Sequence, residues 1–391
     1  MNIVIVGGGF GGVKAALELS KKKTNSIILI SNNTNFQYYP ALFSTATGRS
    51  YQESWVPLSS IFKKHPNVRI VHDLISSIDP DQHTLHSKKN KTYKYDKLIL
   101  ALGSVTTYFG IQGLDRYSFG IKSEEEIRTL QHHLMKDMSD GKEDETNYVI
   151  VGAGPTGVEL AGALGEYIMM LREHYNIHKK RVKITLIEAA PKVLPRLSEA
   201  SSEKALHRLK DLGITVKTGK MVQEQTSTSL IVDSKELKTQ TVIWTSGVAN
   251  APFYLKNASH FELTKRGKVV VDEYLQTREG VYVIGDNADT QYAGLAQTAL
   301  HDAIFVAKRL NGSNKKYKVK SPPTVIPIGH KWALFEWGKL HFSGKLGAVM
   351  RRAADALGYS DVLPISWAVG AWRASSKKQM ALPDHIYSED K

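Results

Sequence analysis

Two stretches of the chain repeat one pattern of apolar and polar positions. A short run rich in β-branched residues, Asn2 to Val6 and again Tyr148 to Val151, leads into a turn of small residues, and an apolar segment rich in Ala and Leu follows each turn. Runs of this length and composition indicate buried strands, and the segments after the turns have the length of helices. The pattern therefore predicts two strand–turn–helix units in one α/β chain.

Both turns contain glycines at the spacing GxGxxG. They read Gly7-Gly8-Gly9-Phe10-Gly11-Gly12 and Gly152-Ala153-Gly154-Pro155-Thr156-Gly157. One glycine allows the tight turn, one lets the backbone approach a pyrophosphate, and one lets the helix pack closely on the strand, while the helix N-terminus offers free N–H groups to the phosphates. Either turn alone could be a structural feature that binds nothing. Together they predict two bound dinucleotides, with electrons moving between them.

The first unit continues with a helix from about Gly12 to Lys21 and a second strand from Ser26 to Ile30. In flavin-binding units of this kind, an acid at the end of the second strand usually binds the ribose hydroxyls. This chain has Ser31-Asn32-Asn33 instead, and Asn32 could form a neutral hydrogen bond there.

Two later segments also indicate strands that end in turns. Tyr95 to Ser104 is an apolar run that ends in small residues, which a structural turn explains equally well. Gly280 to Ala288 presents Asp286 at the end of a buried strand, where the chain is expected to return to the first domain. A carboxylate in that position is costly unless it is hydrogen-bonded, and the ribitol hydroxyls of a flavin would supply the bond.

The second unit is more complete than the first. Its second strand, Val182 to Ile187, ends at Glu188, in the position that binds a ribose 2′-hydroxyl. A carboxylate there repels a 2′-phosphate, so we expect NADH to be preferred to NADPH. Lys192 and Arg196 are close enough in sequence to weaken that preference, and a surface glutamate without a function is the alternative. Another strand-to-turn segment, Val242 to Gly247, follows.

Composition narrows the chemistry. A chain of 391 residues suits two or three domains, and its hydrophobic content of 42% supports real cores. The chain has no cysteine, so electron transfer must run through bound cofactors, and we expect no metal site. The first strand begins at Asn2, which leaves no room for a signal peptide, and no apolar run reaches the ~20 residues of a membrane span. We therefore expect a cytoplasmic protein.

The net charge of +14 is concentrated near the end of the chain. Residues 315–391 contain 13 Lys and Arg against 6 Asp and Glu. Trp332, Phe335 and Trp337 alternate before a hairpin turn at Gly338-Lys339. Apolar residues then recur at helical spacing from Leu346 to Leu357, flanked by Lys345, Arg351 and Arg352, and Val362 to Trp372 is again apolar. Such segments suit an interfacial helix on an anionic membrane, although packing on the parent domain or on a second subunit is the alternative.

The order of these elements resembles the flavoprotein reductases that bind two dinucleotides, and among them the type II NADH:quinone oxidoreductases. Three segments carry the resemblance: Asn35 to Gly48 with Pro40-Ala41-Leu42-Phe43, Tyr95 to Ser104, and Gly154 to Gly162. Ala296-Gln297 also matches an alanine-glutamine pair that lines the quinone pocket of that family. The chain departs from the family pattern at Ser31, in place of an acid, and at His301, in place of a second glutamine. The resemblance covers roughly residues 1–310.

The resemblance implies an α/β fold with two Rossmann-like domains and a C-terminal α+β segment that docks on a membrane or forms a dimer. It implies an FAD-binding domain at 1–115 and 249–314, an inserted NADH-binding domain at 116–248, and a docking segment at 315–391. The implied activity is hydride transfer from NADH to FAD and then two electrons to a membrane quinone, without proton pumping. The enzyme would sit on the cytoplasmic face of the cell membrane as a peripheral protein, with a homodimer as one option and no nucleic acid as a partner.

The expected site residues fall into two groups. Glu159, Gln297 and His301 are the candidate catalytic residues, and His301 could instead be a surface histidine beside Asp302. Apart from these, the expected cofactor contacts are Gly7, Gly9, Phe10, Gly12, Asn32, Thr47, Ala101, Gly103, Asp286 and Ala296 for FAD and Gly152, Gly154, Pro155, Thr156, Gly157, Glu188, Ser246 and Gly247 for NADH.

Two other classes of function fit the same residues. A soluble flavoprotein reductase would pass electrons to a small redox protein or to oxygen, with the basic C-terminal segment binding an acidic partner. A nucleotide sensor without enzymatic activity would use that segment to bind nucleic acid or lipid.

Overall fold

The computed structural model describes residues 1–140, 145–177, 180–384 and 386. The strands are β1 (Asn2–Val6), β2 (Ser26–Ser31), β3 (Asn35–Gln37), β4 (Trp55–Pro57), β5 (Val68–His72), β6 (Ile75–Asp79), β7 (Thr84–Ser87), β8 (Thr92–Lys94), β9 (Lys97–Leu100), β10 (Ser104–Thr106), β11 (Thr146–Val151), β12 (Val182–Ile187), β13 (Thr215–Lys217), β14 (Val222–Gln225), β15 (Ser229–Val232), β16 (Lys235–Lys238), β17 (Thr241–Trp244), β18 (Val248–Asn250), β19 (Gln276–Arg278), β20 (Val281–Val283), β21 (Thr324–Pro327), β22 (Ala333–Trp337) and β23 (Leu340–Gly344). The α-helices are α1 (Phe10–Ser20), α2 (Leu42–Ala46), α3 (Leu58–Phe62), α4 (Leu114–Tyr117), α5 (Glu124–Ser139), α6 (Pro155–His174), α7 (Glu199–Asp211), α8 (Pro252–Lys256), α9 (Ala296–Leu310), α10 (Lys345–Val362) and α11 (Ile365–Ala374).

The first glycine turn belongs to a six-stranded sheet in the order β19-β20-β9-β1-β2-β5. Strand β1 is parallel to β2 and β9, and β20 is parallel to β9, so the carboxyl ends of these strands share one edge. Ile3 and Ile5 on β1 are fully buried, as expected for a strand covered on both faces. Because β19 and β20 come from residues 276–283, the first domain is discontinuous in sequence.

The second glycine turn belongs to a separate parallel sheet, in the order β13-β12-β11-β17. Helix α6 follows β11, and α5 and α6 pack on one common cluster of apolar side chains. Helix α5 begins with a capping box, in which the Ser123 hydroxyl accepts from the Glu126 N–H. The two dinucleotide folds expected from the sequence are thus confirmed, whereas the residue boundaries 1–115, 116–248, 249–314 and 315–391 stay a prediction.

The bounds of most predicted elements agree with the structure. Strand β1 has the predicted ends, and so does β12. Helix α1 begins at Phe10 rather than Gly12, because Gly9 has extended backbone and is the N-cap residue. Strand β2 includes Ser31, one residue beyond the predicted end.

The C-terminal segment forms the expected hairpin and helices. Strands β21, β22 and β23 make a third, antiparallel sheet, with the hairpin turn at Gly338-Lys339. Helix α10 covers the segment of helical spacing, and α11 covers the second apolar run. No helix among the described residues is long and apolar enough to cross a membrane.

This segment packs into the rest of the protein, so it is not a separate membrane-binding element that could be deleted. Leu334 is buried with the core of the second domain, and Val362 and Leu363 are buried with that of the first. The Tyr359 hydroxyl donates to the Glu53 carbonyl at 2.9 Å, and its ring stacks on Tyr38 at a centroid distance of 4.1 Å. Residues from Trp332 onward therefore contribute to both cores, through β22 to the core of the second domain and through the end of α10 to that of the first.

The chain after α11 returns to the NADH-binding side. The Gln379 N–H donates to the Gly48 carbonyl at 2.9 Å, and the Tyr167 hydroxyl on α6 donates to the Met380 carbonyl at 2.8 Å. The Gln131 side chain on α5 accepts from the Leu382 N–H at 2.9 Å. These contacts hold the last described residues against α2, α5 and α6.

Two glycines of the C-terminal helices test this packing. A Cβ added at Gly347 would lie 2.0 Å from the Ala333 carbonyl oxygen, whereas a Cβ at Gly370 would meet nothing within 4 Å. We expect Gly347→Ala to cost about 1–3 kcal/mol of unfolding free energy, because α10 must move off β22. The matched Gly370→Ala should be neutral or stabilise by up to about 1 kcal/mol. Thermal unfolding measures both, and equal midpoints for the two variants would contradict the close contact of α10 with β22.

Candidate active site

The first glycine turn forms a cradle at the carboxyl end of β1. The Gly7 N–H donates to the Ile30 carbonyl at 2.8 Å, and Gly7 has φ of +118°, which L side chains rarely adopt. A Cβ added at Gly12 would lie 1.8 Å from the Gly7 carbonyl oxygen, whereas a Cβ at Gly9 would meet nothing within 4 Å. The turn is therefore tight on its inner side and open at Gly9, which leaves room for a phosphate above the N-terminus of α1. Phe10 is buried edge-on against Phe36 at 5.1 Å.

The end of β2 lacks an acid in the structure too. The Ser31 hydroxyl is buried and donates to the Asn33 carbonyl at 2.7 Å, so it is used within its own turn. Asn32 is exposed, and its carbonyl oxygen lies 3.0 Å from the Nε2 atom of His72. The Asn32 side chain is thus accessible to a ligand at this edge.

Polar side chains connect the turns after β9 and β20. The Ser104 hydroxyl donates to the Asp286 carboxylate at 2.8 Å. The side chain of Asn287, fully buried, accepts from the Gly103 N–H at 3.0 Å and donates to the Gly103 carbonyl at 2.6 Å. Ala101 continues β9 with a backbone bond to Val6 at 2.8 Å. Asp286 therefore lies beside the first cradle with a hydroxyl partner, and Asn287 fixes the turn that holds it.

Two further predicted FAD contacts, Thr47 and Ala296, have no free polar side-chain group. The Thr47 hydroxyl is buried and donates to the carbonyls of Phe43 and Ser44 at 2.8 and 3.1 Å, so it closes α2, and its contact with FAD stays a prediction. Ala296 is the first residue of α9 and contributes backbone and a methyl group only.

The second glycine turn repeats the geometry of the first. The Gly152 N–H donates to the Ile187 carbonyl at 2.7 Å, and Gly152 has φ of +106°. A Cβ added at Gly157 would lie 1.8 Å from the Gly152 carbonyl oxygen, and a Cβ at Gly154 would meet nothing within 4 Å. Pro155 is the first residue of α6, where its missing N–H costs nothing. Both cradles thus fit a pyrophosphate equally well.

Glu188 is held at the end of β12. Its carboxylate accepts from the Ala153 N–H at 2.6 Å and from the Ala190 N–H at 2.9 Å. These bonds place the carboxylate beside the second cradle with lone pairs left for ribose hydroxyls. Lys192 is paired with Glu199 at 2.9 Å, whereas Arg196 is exposed.

A cavity of about 130 Å³ lies between the two dinucleotide folds. The second fold contributes Thr156 and Glu159 on α6, Thr245 and Gly247 after β17, and Lys122 before α5. Ser246, between Thr245 and Gly247, is exposed, and its hydroxyl packs against Gly152. Tyr39, Leu42 and Phe43 close the side toward α2. Burial lowers the pKa of the Lys122 ammonium, while Asp286 and Glu126 favour its charged form.

Glu159 forms a buried ion pair with Arg351 of α10. The two side chains are 12% and 14% exposed, and their charged atoms are 3.0 Å apart. The same guanidinium binds the Asp355 carboxylate at 2.9 Å and the Pro40 carbonyl at 2.7 Å. Burial raises the pKa of Glu159 to about 7, although Arg351 opposes the shift. Arg351 was expected to flank a membrane-facing helix, and that expectation is wrong because its partners lie inside the protein.

Gln297 and His301 lie one turn apart on α9, as predicted. Gln297 is exposed in the first turn. The Nε2 atom of His301 lies 2.9 Å from the Lys318 carbonyl, and its ring packs beside Tyr317. Neither side chain lines the cavity that contains Glu159. Glu159 therefore faces the cavity between the two folds, whereas Gln297 faces the surface at the start of α9.

Four residues of the site were missed from the sequence: Ser104, Lys122, Asn287 and Arg351. Asn287 follows the predicted Asp286 directly, so the motif around Gly285 could have indicated it. Lys122 and Arg351 had no local signal, because each acts through partners that are distant in sequence.

Comparison with known proteins agrees with the paired cradles. A family model, pyridine nucleotide-disulphide oxidoreductase, matches residues 1–303. The chain belongs to this family. A type II NADH:quinone oxidoreductase of Staphylococcus aureus (strain NCTC 8325 / PS 47) is 29% identical over 382 residues, which cover 90% of this chain and 94% of that protein. The resemblance noted from the sequence motifs is thus confirmed.

Solved structures share the fold. NDH2 from Plasmodium falciparum, in complex with NADH, has a TM-score of 0.84 at 17% identity and covers 96% of this chain and 97% of its own. The sulfide:quinone oxidoreductase from the hyperthermophilic bacterium Aquifex aeolicus has a TM-score of 0.78 at 19% identity and covers 90% of this chain and 89% of its own. The likeness extends over the C-terminal segment, since it covers most of the chain.

Arg351 and its neighbour Arg352 provide a matched test of the ion pair. Arg352 is exposed and packs over Trp372. We expect Arg351→Met to cost about 3–5 kcal/mol at pH 8, because Glu159 and Asp355 lose their buried cation. Arg352→Met should cost less than about 1 kcal/mol.

The loss of stability in Arg351→Met should depend on pH in a defined direction. The pKa of Glu159 in the folded protein, about 7, lies above the ordinary glutamate value of 4.5, so the free energy of unfolding falls as the pH rises between these two values. Without Arg351 that pKa should rise further, and the loss should continue above pH 7. Denaturant unfolding from pH 5 to 9 measures it. A deficit in Arg351→Met that is equal at pH 5 and pH 8 would argue against a buried pair with Glu159.

Proposed function

We propose that this protein is an FAD-dependent NADH:quinone oxidoreductase that does not pump protons. The observation that carries the proposal is a pair of pyrophosphate cradles, at Gly9 and Gly154, in a chain without cysteine. Two cradles support two dinucleotides, and the missing thiols exclude a disulfide relay built from this chain. Electrons taken from one nucleotide must therefore leave through the other cofactor to an external acceptor. The Staphylococcus aureus relatives, named type II NADH:quinone oxidoreductases, support a quinone as that acceptor.

The two glycine turns would bind different cofactors, the first FAD and the second NADH. Gly7, Gly9 and Gly12 would hold the FAD pyrophosphate, and Asp286 would accept from the ribitol hydroxyls. Bound FAD would take hydride from NADH and return two electrons to the acceptor. The protein would hold the two cofactors at the required distance and orientation, because hydride transfer depends on these more than on an acid or a base.

The NADH side would be formed by α6 and the turn after β17. Gly154 leaves space for the pyrophosphate, and Glu188 would accept from the ribose hydroxyls. The cavity between the two folds would take the nicotinamide, with Thr156 and Glu159 on one wall. A carboxyl group with a pKa near 7 can hold or release a proton at the operating pH. We therefore assign Glu159 to the wall of the nicotinamide site as a group that can hold a proton, while hydride transfer itself exchanges no proton with the nicotinamide ring.

The quinone would approach α9. Ala296 and Gln297 form its exposed first turn, and Gln297 can donate to a quinone carbonyl. The Nε2 atom of His301 is hydrogen-bonded to the Lys318 carbonyl, so only the Nδ1 atom would be free to contact a quinone. The acceptor side is therefore assigned to Gln297 first.

A membrane surface fits the outer faces of α10 and α11. Leu346, Val349, Leu357 and Ile365 are 61%, 63%, 67% and 82% exposed. Lys345 and Arg352 are exposed on the same helix. Apolar side chains with cations beside them suit the interface of an anionic membrane, which gives access to a lipid-soluble quinone. We assign the protein to the cytoplasmic face as a peripheral protein, and a homodimer through the same surface is the alternative.

A soluble reductase of a small redox protein is the second candidate, because Lys345 and Arg352 would equally attract an acidic partner. The deciding experiment uses the purified yellow protein without oxygen. NADH should bleach the flavin absorbance, and a short-chain quinone should restore it faster than air does. Bleaching without recovery by quinone would favour the second candidate. A colourless protein, or a flavin that NADH does not bleach, would reject both.

Glu188 should set the choice of nucleotide. Glu188→Gln should narrow the preference for NADH over NADPH by about tenfold, because a charge-assisted bond to ribose is worth about 1.5–3 kcal/mol and the repulsion of a 2′-phosphate is removed. Glu199→Gln is the matched control, since Glu199 is exposed and pairs with Lys192 on the protein surface. The ratio of kcat/KM for the two nucleotides measures the effect. Equal rates with NADH and NADPH in the unmodified protein would exclude this role.

A further inference from the structure

A second cavity lies away from both cradles. It has a volume of about 580 Å³ and lies between α2, α6, α10 and the segment after α11. Such a volume is within the roughly 300–1,000 Å³ typical of small-molecule sites. Phe43 lines both this cavity and the smaller one beside Glu159, and the Arg351 side chain packs over the Phe43 ring. The Arg351–Glu159 pair and Phe43 thus form a wall between the cavity and the proposed nicotinamide site.

The interior of the cavity is mostly apolar. Ala163, Tyr167 and Met170 on α6 face Ala348 and Tyr359 on α10. Glu53 also lines the cavity, and its carboxyl group accepts from the Ser44 hydroxyl at 2.6 Å. Burial raises the pKa of Glu53 to about 8, so this carboxyl is mostly uncharged at neutral pH and does not repel an anion.

The mouth of the cavity is cationic. Arg49, Lys331, Lys345, Arg352 and Lys378 all line it. Arg49 is 3.8 Å from Glu166, but within the described part of the chain Lys331, Lys345 and Lys378 have no acidic group within 4 Å. Helix α10 begins at Lys345 and has no acid in its first turn, so its positive end adds to the same field. The acids Glu166 and Asp355 also line the cavity, but they are paired with Arg49 and Arg351. Within the described residues, the three lysines and the start of α10 therefore favour an anion at the mouth of the cavity.

The mouth also adjoins the exposed apolar face of α10. Val349 lines the cavity and is 63% exposed, and Leu346 beside it is 61% exposed. A free inorganic anion would gain nothing from these side chains. An anion attached to an apolar chain would gain from both the cations and the apolar face.

We propose that this cavity binds the phosphate headgroup of an anionic lipid, with Lys345 and Lys378 on the phosphate and an acyl chain leaving past Val349. The proposal deepens the membrane docking described above and rests on it. Occupation would hold α10 at a fixed depth in the interface, because the headgroup would be inside the protein while Leu346 and Leu357 remain in lipid. The site would therefore bind single anionic lipid molecules. This binding would add to the general attraction of a basic protein surface to a negatively charged membrane.

The test uses the full-length flavin-loaded protein and dihexanoyl phosphatidylglycerol below its micelle concentration, so that no membrane is present. Titration calorimetry should show binding at least about tenfold tighter than that of dihexanoyl phosphatidylcholine or inorganic phosphate. Ala348→Phe fills the cavity without altering charge and should abolish binding. Ala353→Phe, on the exposed side of the same helix, is its control. The double variant Lys345→Gln, Lys378→Gln should weaken binding about tenfold or more, whereas Lys339→Gln in the hairpin turn should leave it unchanged.

Each result has a defined meaning. Equal binding of the two lipids, or full binding by a folded Ala348→Phe protein, would overturn the proposal. Inorganic phosphate as tight as phosphatidylglycerol would replace it with a site for free anions, and loss of binding on dimerisation would assign the cavity to a second copy of the chain. If Ala348→Phe fails to fold, the lysine double variant decides. Flavin bleaching by NADH is recorded separately, so failure of the redox proposal would leave the lipid result readable.

Discussion

The buried guanidinium of Arg351 is the point at which the parts of this protein are joined. It binds Glu159 on α6, Asp355 on its own helix and the Pro40 carbonyl before α2. Removing such a cation from water is expensive, and the cost is offset only when several partners surround it at good geometry. The position of α10 is consequently tied to the helix that carries the second cradle and to the segment that closes the smaller cavity.

This connection gives α10 two roles at once. Its inner side supports Glu159 and stacks Tyr359 on Tyr38, while its outer side exposes Leu346 and Leu357. A membrane-binding helix on a flexible linker would give the same affinity for lipid but no control over orientation. Tyr359 and Val362 of α10 are buried in the core of the first domain, and Arg351 pairs the same helix with α6 of the second domain. A ligand on the outer side of α10 would therefore be held at a fixed orientation to both glycine turns.

The parts predictable from sequence were those with a local physical cause. The glycine turns could be predicted because Gly7 and Gly152 need positive φ and because Gly12 and Gly157 leave no space for a Cβ. Glu188 could be predicted from its position at a strand end. These features are encoded within about thirty residues of one another.

Features with distant partners were misread or missed. Arg351 lies 192 residues from Glu159, and beside Arg352 it resembles any cation of an amphipathic helix. The return of residues 377–382 to α2, α5 and α6 has no pattern in the sequence, because single backbone and side-chain hydrogen bonds carry it.

Under the proposed function, a chain without cysteine has no thiol to relay electrons. The selectivity for an acceptor would then depend on which molecules reach the edge of α9. Asp302, fully buried, anchors that helix by accepting from the Gly285 N–H at 2.9 Å and from the Tyr317 hydroxyl at 2.6 Å. His301 beside it is drawn toward the Lys318 carbonyl, so Gln297 remains as the exposed polar group of the first turn. The linker around Tyr317 therefore holds α9 in position, and under the proposed function it would help to set the access of an acceptor to Gln297.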